Sequence, residues 1–171
     1  MAPKKTILII DDHPLYREGL KSIIGRDDRF EVIGEAGNGR EGLQIARKLK
    51  PDLIVIDISL PDTSGIQLTR DIRNLLSEAR IIIVSMHSKI DYIAEAFQAG
   101  ATGYVVKESA SDRLIQGLES AVNDEYFLDS SVSHQVVENL LKFPLKEAKI
   151  TNADYASLTR REQEVMRLLA E

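Results

Sequence analysis

The chain has 171 residues, a net charge of −5, no cysteine, and 43% hydrophobic and 29% charged residues. This is the composition of a globular protein with one domain of ordinary size and a further segment, and it excludes disulfide scaffolds and thiolate metal sites. No apolar run approaches the roughly 20 residues that a membrane-spanning helix needs. The first residues lack the small-residue cleavage site of a signal peptide, so we expect a cytoplasmic protein.

Short apolar runs alternate along the chain with amphipathic stretches of about a dozen residues, which predicts repeated βα units around a parallel sheet. The predicted strands are residues 6–10, 31–36, 53–56, 80–84 and 103–106. The predicted helices are residues 14–24, 39–49, 65–76, 89–99 and 111–123. We therefore expect an α/β fold with five parallel strands, doubly wound in the flavodoxin-like manner with strand order 2-1-3-4-5.

The chain beyond residue 123 has a different pattern. Residues 131–142 place valines and leucines at helical spacing, and Phe143-Pro144 ends this predicted helix. We expect residues 124–157 to be a linker that contains it. Thr159 and Glu162 then form a capping box that opens a second amphipathic stretch within residues 158–171. A helix that short is marginal alone, so we expect it to be the beginning of a further unit.

Polar side chains follow four of the five predicted strands. Asp11 and Asp12 follow the first strand, Asp57 the third, Ser85 the fourth and Lys107 the fifth. If these strands are neighbours, the five side chains converge at the edge of the sheet where open α/β sheets bind ligands. Carboxylates that lie close together repel one another unless a cation neutralises them, and oxygen ligands in this number suit Mg2+.

A hydroxyl and an ammonium group beside such a metal site complete a set that can hold a phosphate. The chemistry that fits is phosphoryl transfer to a carboxylate, in which Asp57 attacks phosphorus in line. Lys107 would offset charge on the equatorial oxygens, and Ser85 would donate a hydrogen bond. Each residue alone is weak evidence, because an aspartate after a strand is commonly a helix cap and a lysine there is commonly solvated. Their occurrence together on four strand ends is the informative observation.

The sequence resembles the response-regulator receiver family over about residues 5–123. The resemblance rests on the Asp11-Asp12 pair, on Asp-Ile-Ser-Leu-Pro-Asp-Thr-Ser-Gly at residues 57–65, on Ser85 and on Tyr-Val-Val-Lys at residues 104–107. It implies that residues 1–123 are a receiver domain and that Asp57 is the phosphorylated aspartate. It also implies that Asp12, Asp57 and the backbone carbonyl of Ser59 bind Mg2+ directly, whereas Asp11 acts largely through water.

The same resemblance implies further roles. Ser85 corresponds to the switch hydroxyl that moves toward the phosphoryl group, and Tyr104 to the aromatic ring that swings inward with it. Ser59 and His87 stand where the family tunes the lifetime of the phosphate. The implied activity is limited to phosphorylation and dephosphorylation of the chain's own Asp57, so we do not expect an enzyme that acts on a separate substrate.

The segment Asp-Asp-His-Pro-Leu-Tyr-Arg-Glu-Gly at residues 11–19 resembles the NarL/FixJ branch, which pairs a receiver with a LuxR-type helix-turn-helix domain. Residues 158–170 resemble the first helix of that DNA-binding domain, and the recognition helix is missing, so we expect a truncated domain at residues 158–171. The implied partners are a histidine kinase, a second copy of the chain on phosphorylation, and DNA through the missing domain alone; no membrane is expected. The dimer interface stays open between helices one and five and the face of helix four, strand five and helix five.

Four other interpretations carry less weight. Gly-Asn-Gly-Arg-Glu-Gly at residues 37–42 matches a dinucleotide-binding pattern, but it follows the second strand, and turn geometry suffices to explain it. A zinc site is not expected, because the histidines lack metal-ligand spacing; they are His13, His87 and His134. We assign His13 to the turn into helix one. The alternative function is an aspartate-nucleophile phosphatase of the haloacid dehalogenase type, whose nucleophile follows the first strand in an Asp-x-Asp pattern that is absent here. A pseudo-receiver would need a broken site, whereas every site position is filled.

Overall fold

A computed structural model describes residues 2–142 and 167–169 of the chain. The strands are β1 Lys5–Ile10, β2 Phe30–Ala36, β3 Leu53–Ile56, β4 Arg80–Ser85, β5 Gly103–Val106 and β6 Phe127–Leu128. The helices are α1 Pro14–Gly25, α2 Gly39–Leu49, α3 Gly65–Leu75, α4 Ile90–Ala99, α5 Ala110–Val122 and α6 Ser130–Lys142. Each element predicted in residues 2–142 is found, with bounds that agree to within one residue at either end. Within the described residues, no helix is long and apolar enough to cross a membrane.

The strands form one parallel sheet in the order β2-β1-β3-β4-β5-β6. This confirms the predicted α/β class and the order of its five long strands. The prediction missed β6, which pairs with β5 through Phe127 opposite Gly103 and Leu128 opposite Tyr104. A strand of two residues is too short for a period-two pattern to show in the sequence, so only the pairing reveals it.

The sheet is covered on both faces because successive residues of a strand point to opposite sides. In β1, Leu8 and Ile10 belong to the core beneath α2, α3 and α4, whereas Ile7 and Ile9 pack with residues of α1 and α5. All four residues of β3 are buried, which explains why this central strand reads as a continuous apolar run. The carboxyl ends of β1, β3, β4 and β5 therefore lie side by side at one edge.

Helix α6 packs against the edge of this domain. Val132 and Val136 are buried in the same core cluster as residues of α4, and α6 contacts α4. Leu169, in the short helical segment at residues 167–169, also packs against this cluster. The rest of the expected linker, residues 143–157, and most of the expected truncated domain lie outside the described residues.

The glycine-rich turn before α2 is a helix start. The side chain of Asn38 accepts a hydrogen bond from the backbone nitrogen of Glu41 at 2.8 Å, and the carboxylate of Asp62 accepts from the backbone nitrogen of Gly39 at 2.8 Å. An added Cβ at Gly39 would lie 2.3 Å from Thr63 Cγ2. Packing and capping thus account for the pattern, and a protein carboxylate already binds this helix N-terminus.

Candidate functional site

The polar residues that end the strands meet at one edge of the sheet, as the sequence predicts. Ligand atoms of Asp11, Asp12, His13 and Asp57 all lie within 4.8 Å of one another. Lys107 follows β5 and reaches across to this acidic cluster from the other side. The strand order explains the convergence, because β1, β3, β4 and β5 are neighbours whose carboxyl ends lie at one edge of the sheet, within two residues of one another in register.

Lys107 bridges two buried carboxylates. Its Nζ lies 2.8 Å from Asp11 Oδ2 and 3.0 Å from Asp57 Oδ2, and the side chains of the three residues are only 7%, 2% and 3% exposed. Burial lowers the pKa of Lys107, but the hydrogen bonds to the two carboxylates and the attraction of their charges together outweigh burial, and the net pKa is raised. The single ammonium group of Lys107 thus faces two buried carboxylates, and the carboxylate of Asp12 lies beside them. The cluster retains excess negative charge that a cation would neutralise.

The carboxylate of Asp57 is held from two sides. Burial raises the pKa of this carboxyl group, while the hydrogen bond from Lys107 acts in the opposite direction. Asp57 Oδ1 accepts a hydrogen bond from the backbone nitrogen of Ser59 at 3.2 Å. The loop that carries Ser59 turns back tightly, and an added Cβ at Gly65 would lie 2.1 Å from the carbonyl oxygen of Asp57. Glycine is therefore required at position 65 for close backbone approach.

The acidic cluster fits a hard divalent cation. Asp12 Oδ1 is buried yet accepts no hydrogen bond from the described residues. His13 Nδ1 lies 2.9 Å from this oxygen, outside hydrogen-bonding angles, and 3.1 Å from Asp11 Oδ1. A buried carboxylate oxygen without a donor is an unfavourable arrangement that a metal ion relieves. Carboxylate oxygens are the ligands that Mg2+ prefers. The Ser59 carbonyl as a further ligand stays a prediction.

Three residues contribute to this site although the sequence analysis did not predict that they would. His13 lies at the N-terminal cap of α1, as the sequence predicts, and its ring also belongs to the acidic cluster. Tyr16 lies beneath Lys107, whose Nζ is 4.4 Å from the ring centroid, and donates its hydroxyl to the Lys107 carbonyl at 3.2 Å. Arg17 donates to the carbonyl oxygen of Asp11 at 2.5 Å. The feature of the sequence that could have identified them is their position directly after the Asp-Asp pair, within residues 11–19.

His87 joins the ends of β4 and β5 to the loop after β3. Its backbone nitrogen donates to Ser85 Oγ at 3.1 Å, and its carbonyl accepts from the hydroxyl of Tyr104 at 2.6 Å. The His87 Nε2 atom lies 3.3 Å from Ser59 Oγ, and the imidazole stacks on Tyr92 with ring centroids 4.2 Å apart. Tyr104 is fully buried, which raises its pKa to about 12. Tyr92, in the first turn of α4, was also missed by the sequence.

Comparison with known proteins places this arrangement in a family. The family described as "Response regulator receiver domain" matches residues 7–119. The chain is 31% identical to the nitrate/nitrite response regulator NarL of Escherichia coli K12, over 97% of this chain and 75% of that protein. It is 33% identical to the transcriptional regulatory protein LiaR of Bacillus subtilis, over 96% of this chain and 76% of that protein.

Solved structures of response regulators superpose on this chain, in agreement with the sequence comparison. A two-component response regulator of the LuxR family from Aurantimonas sp. SI85-9A1 superposes with a TM-score of 0.78 at 34% identity, covering 81% of this chain and 99% of that one. The response regulator domain of CheB from Thermotoga maritima gives a TM-score of 0.66 at 27% identity, covering 71% of this chain and 98% of that one. The chain therefore belongs to the response-regulator receiver family, the receiver component of two-component signalling systems.

Proposed function

We propose that this chain accepts a phosphoryl group on Asp57 from a histidine kinase, in a Mg2+-dependent reaction in the cytoplasm. The resulting change of conformation controls a C-terminal DNA-binding domain and hence transcription. The observation that carries the proposal is the contact between Lys107 Nζ and Asp57 Oδ2 at 3.0 Å, inside an acidic cluster that calls for a cation. The family assignment favours this function over a phosphatase of the haloacid dehalogenase type.

The reaction follows from the way Asp57 is held. A carboxylate oxygen of Asp57 attacks phosphorus in line, a P–O bond forms, and the P–N bond of the donor phosphohistidine breaks with its electron pair returning to the imidazole. The buried carboxylate is poorly solvated, and Lys107 lies beside it to stabilise charge on the transferred oxygens. Mg2+ bound by Asp11, Asp12 and Asp57, with the Ser59 carbonyl, would offset the repulsion between the anionic groups.

The output depends on Ser85 and Tyr104. A hydroxyl can accept one hydrogen bond and donate another, so Ser85 can keep the backbone nitrogen of His87 as its donor while donating to a phosphoryl oxygen. Movement of Ser85 is transmitted to His87, whose carbonyl binds the Tyr104 hydroxyl. We expect phosphorylation to shift the protein between two arrangements of this region, with Tyr104 buried in the active one. Ser59 and His87 tune the phosphate lifetime.

We propose three segments for the chain, in keeping with this function. Residues 1–123 form the receiver, residues 124–157 the linker, and residues 158–171 the start of a LuxR-type DNA-binding domain. The names of the relatives, which include the transcriptional regulatory proteins DegU of Brevibacillus brevis and LiaR of Bacillus subtilis, support an output in transcription. We further propose that phosphorylation promotes a homodimer. We also propose that the hydrolysis of the aspartyl phosphate is the chain's own activity.

Acetyl phosphate with Mg2+ tests the phosphoacceptor. Intact mass should rise by one phosphoryl group, about 80 Da, and hydroxylamine should remove it because an acyl phosphate is reactive toward that nucleophile. Asp57→Asn should abolish the gain, whereas Asp71→Asn, which changes an exposed carboxylate on α3, should leave it unchanged. The assignment is wrong if Asp57→Asn still acquires an acid-labile phosphate at the wild-type rate.

A further inference from the structure

Asp129 is a buried carboxylate that the proposed phosphorylation chemistry does not use. It stands between the last residue of β6 and the first residue of α6, and it is fully buried. Among the described residues, the other buried acidic side chains are Asp11 and Asp57, both in the phosphorylation site. A carboxylate is rarely buried without a specific set of donors, so the contacts of Asp129 point to its role.

One side of Asp129 binds the segment that carries Lys107. Its Oδ2 accepts a hydrogen bond from the backbone nitrogen of Val106 at 3.1 Å and another from the hydroxyl of Ser109. These two residues flank Lys107 on either side in the sequence. The backbone nitrogen of Asp129 also donates to the carbonyl of Tyr104 at 2.9 Å. Asp129 thus contacts both ends of the short segment whose ammonium group faces Asp57.

The other side of Asp129 binds the beginning of α6. Its Oδ1 accepts a hydrogen bond from the backbone nitrogen of Ser131 at 3.0 Å, and its carbonyl accepts from the backbone nitrogen of Val132 at 3.0 Å. The first turn of α6 is therefore capped by the same carboxylate that holds the Lys107 segment. Helix α6 is anchored in turn by the buried Val132 and Val136.

These contacts oppose movement of one segment without the other. Within the described residues Asp129 forms no ion pair with a lysine, arginine or histidine, so its charge is balanced by hydrogen bonds from Ser109, Ser131 and Val106. Burial raises the pKa of Asp129, but these hydrogen bonds outweigh burial, and the net pKa is lowered. Displacing the Lys107 segment without α6 would leave buried donors and a buried charge unpaired, which is unfavourable.

We propose that Asp129 is a positioning residue that links Lys107 to α6, so that a displacement of Lys107 on phosphorylation of Asp57 also moves the start of α6. The link rests on the proposed function, because it needs a phosphoryl group at Asp57. It gives the signal a direct route from the phosphorylation site to the helix that leads toward the C-terminal part of the chain. This route does not pass through the hydrogen bond between the Tyr104 hydroxyl and the His87 carbonyl.

The variants must separate this link from simple helix capping. Asp129→Ser keeps a good capping residue at the start of α6, but the shorter side chain cannot also reach Val106 and Ser109. Ser109→Ala removes one donor on the Lys107 side and leaves the cap intact. Asn38→Ala, at the start of α2, is the matched control, because it removes a capping side chain far from this link.

The experiment uses 1H–15N spectra of the full chain with and without Mg2+ and beryllofluoride, a mimic of the phosphoryl group. In the wild type, amides around Asp57 and amides of α6 should both shift. In Asp129→Ser the shifts around Asp57 should persist while those of α6 fall at least about threefold, and Ser109→Ala should give an intermediate loss. Asn38→Ala should behave as the wild type.

The possible outcomes distinguish the two proposals. If beryllofluoride shifts the α6 amides of Asp129→Ser as much as those of the wild type, Asp129 is only a helix cap. If Asp129→Ser does not fold, α6 shifts of wild-type size in Ser109→Ala would overturn the link in the same way. Wild-type shifts confined to the Asp57 region would overturn the link and leave the proposed function standing. Absence of any shift around Asp57 in the wild type would overturn the proposed function, and the link with it.

Discussion

The hydroxyl of Tyr104 donates a hydrogen bond to the backbone carbonyl of His87 across 2.6 Å, and the tyrosine is fully buried. This bond joins β5 to the loop after β4, so it should contribute to stability as well as to the switch. Tyr104→Phe keeps the buried ring and loses the bond, and we expect the free energy of unfolding to fall by about 1 kcal/mol. Tyr104→Ala also leaves a cavity, and we expect a loss of about 3–5 kcal/mol.

Urea denaturation followed by circular dichroism measures both losses. If Tyr104→Phe is as stable as the wild type, the hydroxyl contributes nothing in the folded protein and its contact with His87 cannot hold the loop. An equal loss in both variants would instead mean that the ring itself is poorly packed.

Asp12 and Lys107 should differ in what they contribute to the site. Asp12→Ala removes a buried oxygen that lacks a hydrogen-bond donor, so Mg2+ affinity should fall at least about tenfold. Lys107→Ala removes a cation that is no metal ligand, so Mg2+ affinity should stay near the wild-type value while phosphorylation by acetyl phosphate slows. Calorimetric titration with Mg2+ gives the first quantity and intact mass over time gives the second. Equal loss of Mg2+ binding in both variants would contradict this division of roles.

The sequence predicts a residue of this site only where the residue directly follows a recognisable strand. Asp57 and Lys107 could be found because each directly follows an apolar run, and parallel strands bring such residues together. Asp129 and Tyr92 could not be found in this way. Asp129 follows a strand of two residues that shows no pattern, and its donors Val106 and Ser109 lie 23 and 20 residues earlier in the chain. The role of Tyr92 depends on the rotation of α4, which periodicity does not determine at its ends.

Tyr92 should affect the phosphate lifetime through His87. The stacked rings hold the imidazole beside Ser59, whose backbone nitrogen binds Asp57. Tyr92→Leu releases the imidazole and gives water easier access to the aspartyl phosphate, so we expect its half-life to shorten about threefold. Tyr92→Phe keeps the stack and should keep the wild-type half-life.

The decay of the phosphorylated mass after removal of acetyl phosphate measures these half-lives. The ring protons of His87 provide a second measurement, because loss of the Tyr92 ring current in Tyr92→Leu should move them downfield. A wild-type half-life in Tyr92→Leu, together with this downfield shift, would show that the stacking of Tyr92 on His87 has no influence on hydrolysis.

Asp129 should make stability depend on pH in a defined direction. Its pKa in the folded protein is lowered from the ordinary value of 3.8 by its hydrogen bonds, which outweigh the effect of burial. A carboxyl group with a lowered folded-state pKa contributes stability that is fully present above its unfolded pKa and is lost as pH falls through the folded pKa. Asp129→Asn removes the titrating group, and we expect it to lower the free energy of unfolding at neutral pH by about 1–3 kcal/mol.

The difference in unfolding free energy between the wild type and Asp129→Asn should therefore be constant from about pH 7 to about pH 5 and shrink below about pH 4. Asp57 has the opposite shift, since burial raises its pKa, but it is present in both proteins and cancels in the difference. Urea titrations at several pH values give this difference directly. A difference that grows as the pH falls would mean that Asp129 is more easily protonated when folded than when unfolded. In that case the hydrogen bonds from Val106, Ser109 and Ser131 would not stabilise its charge, and the rigid link between the Lys107 segment and α6 would lose its physical basis.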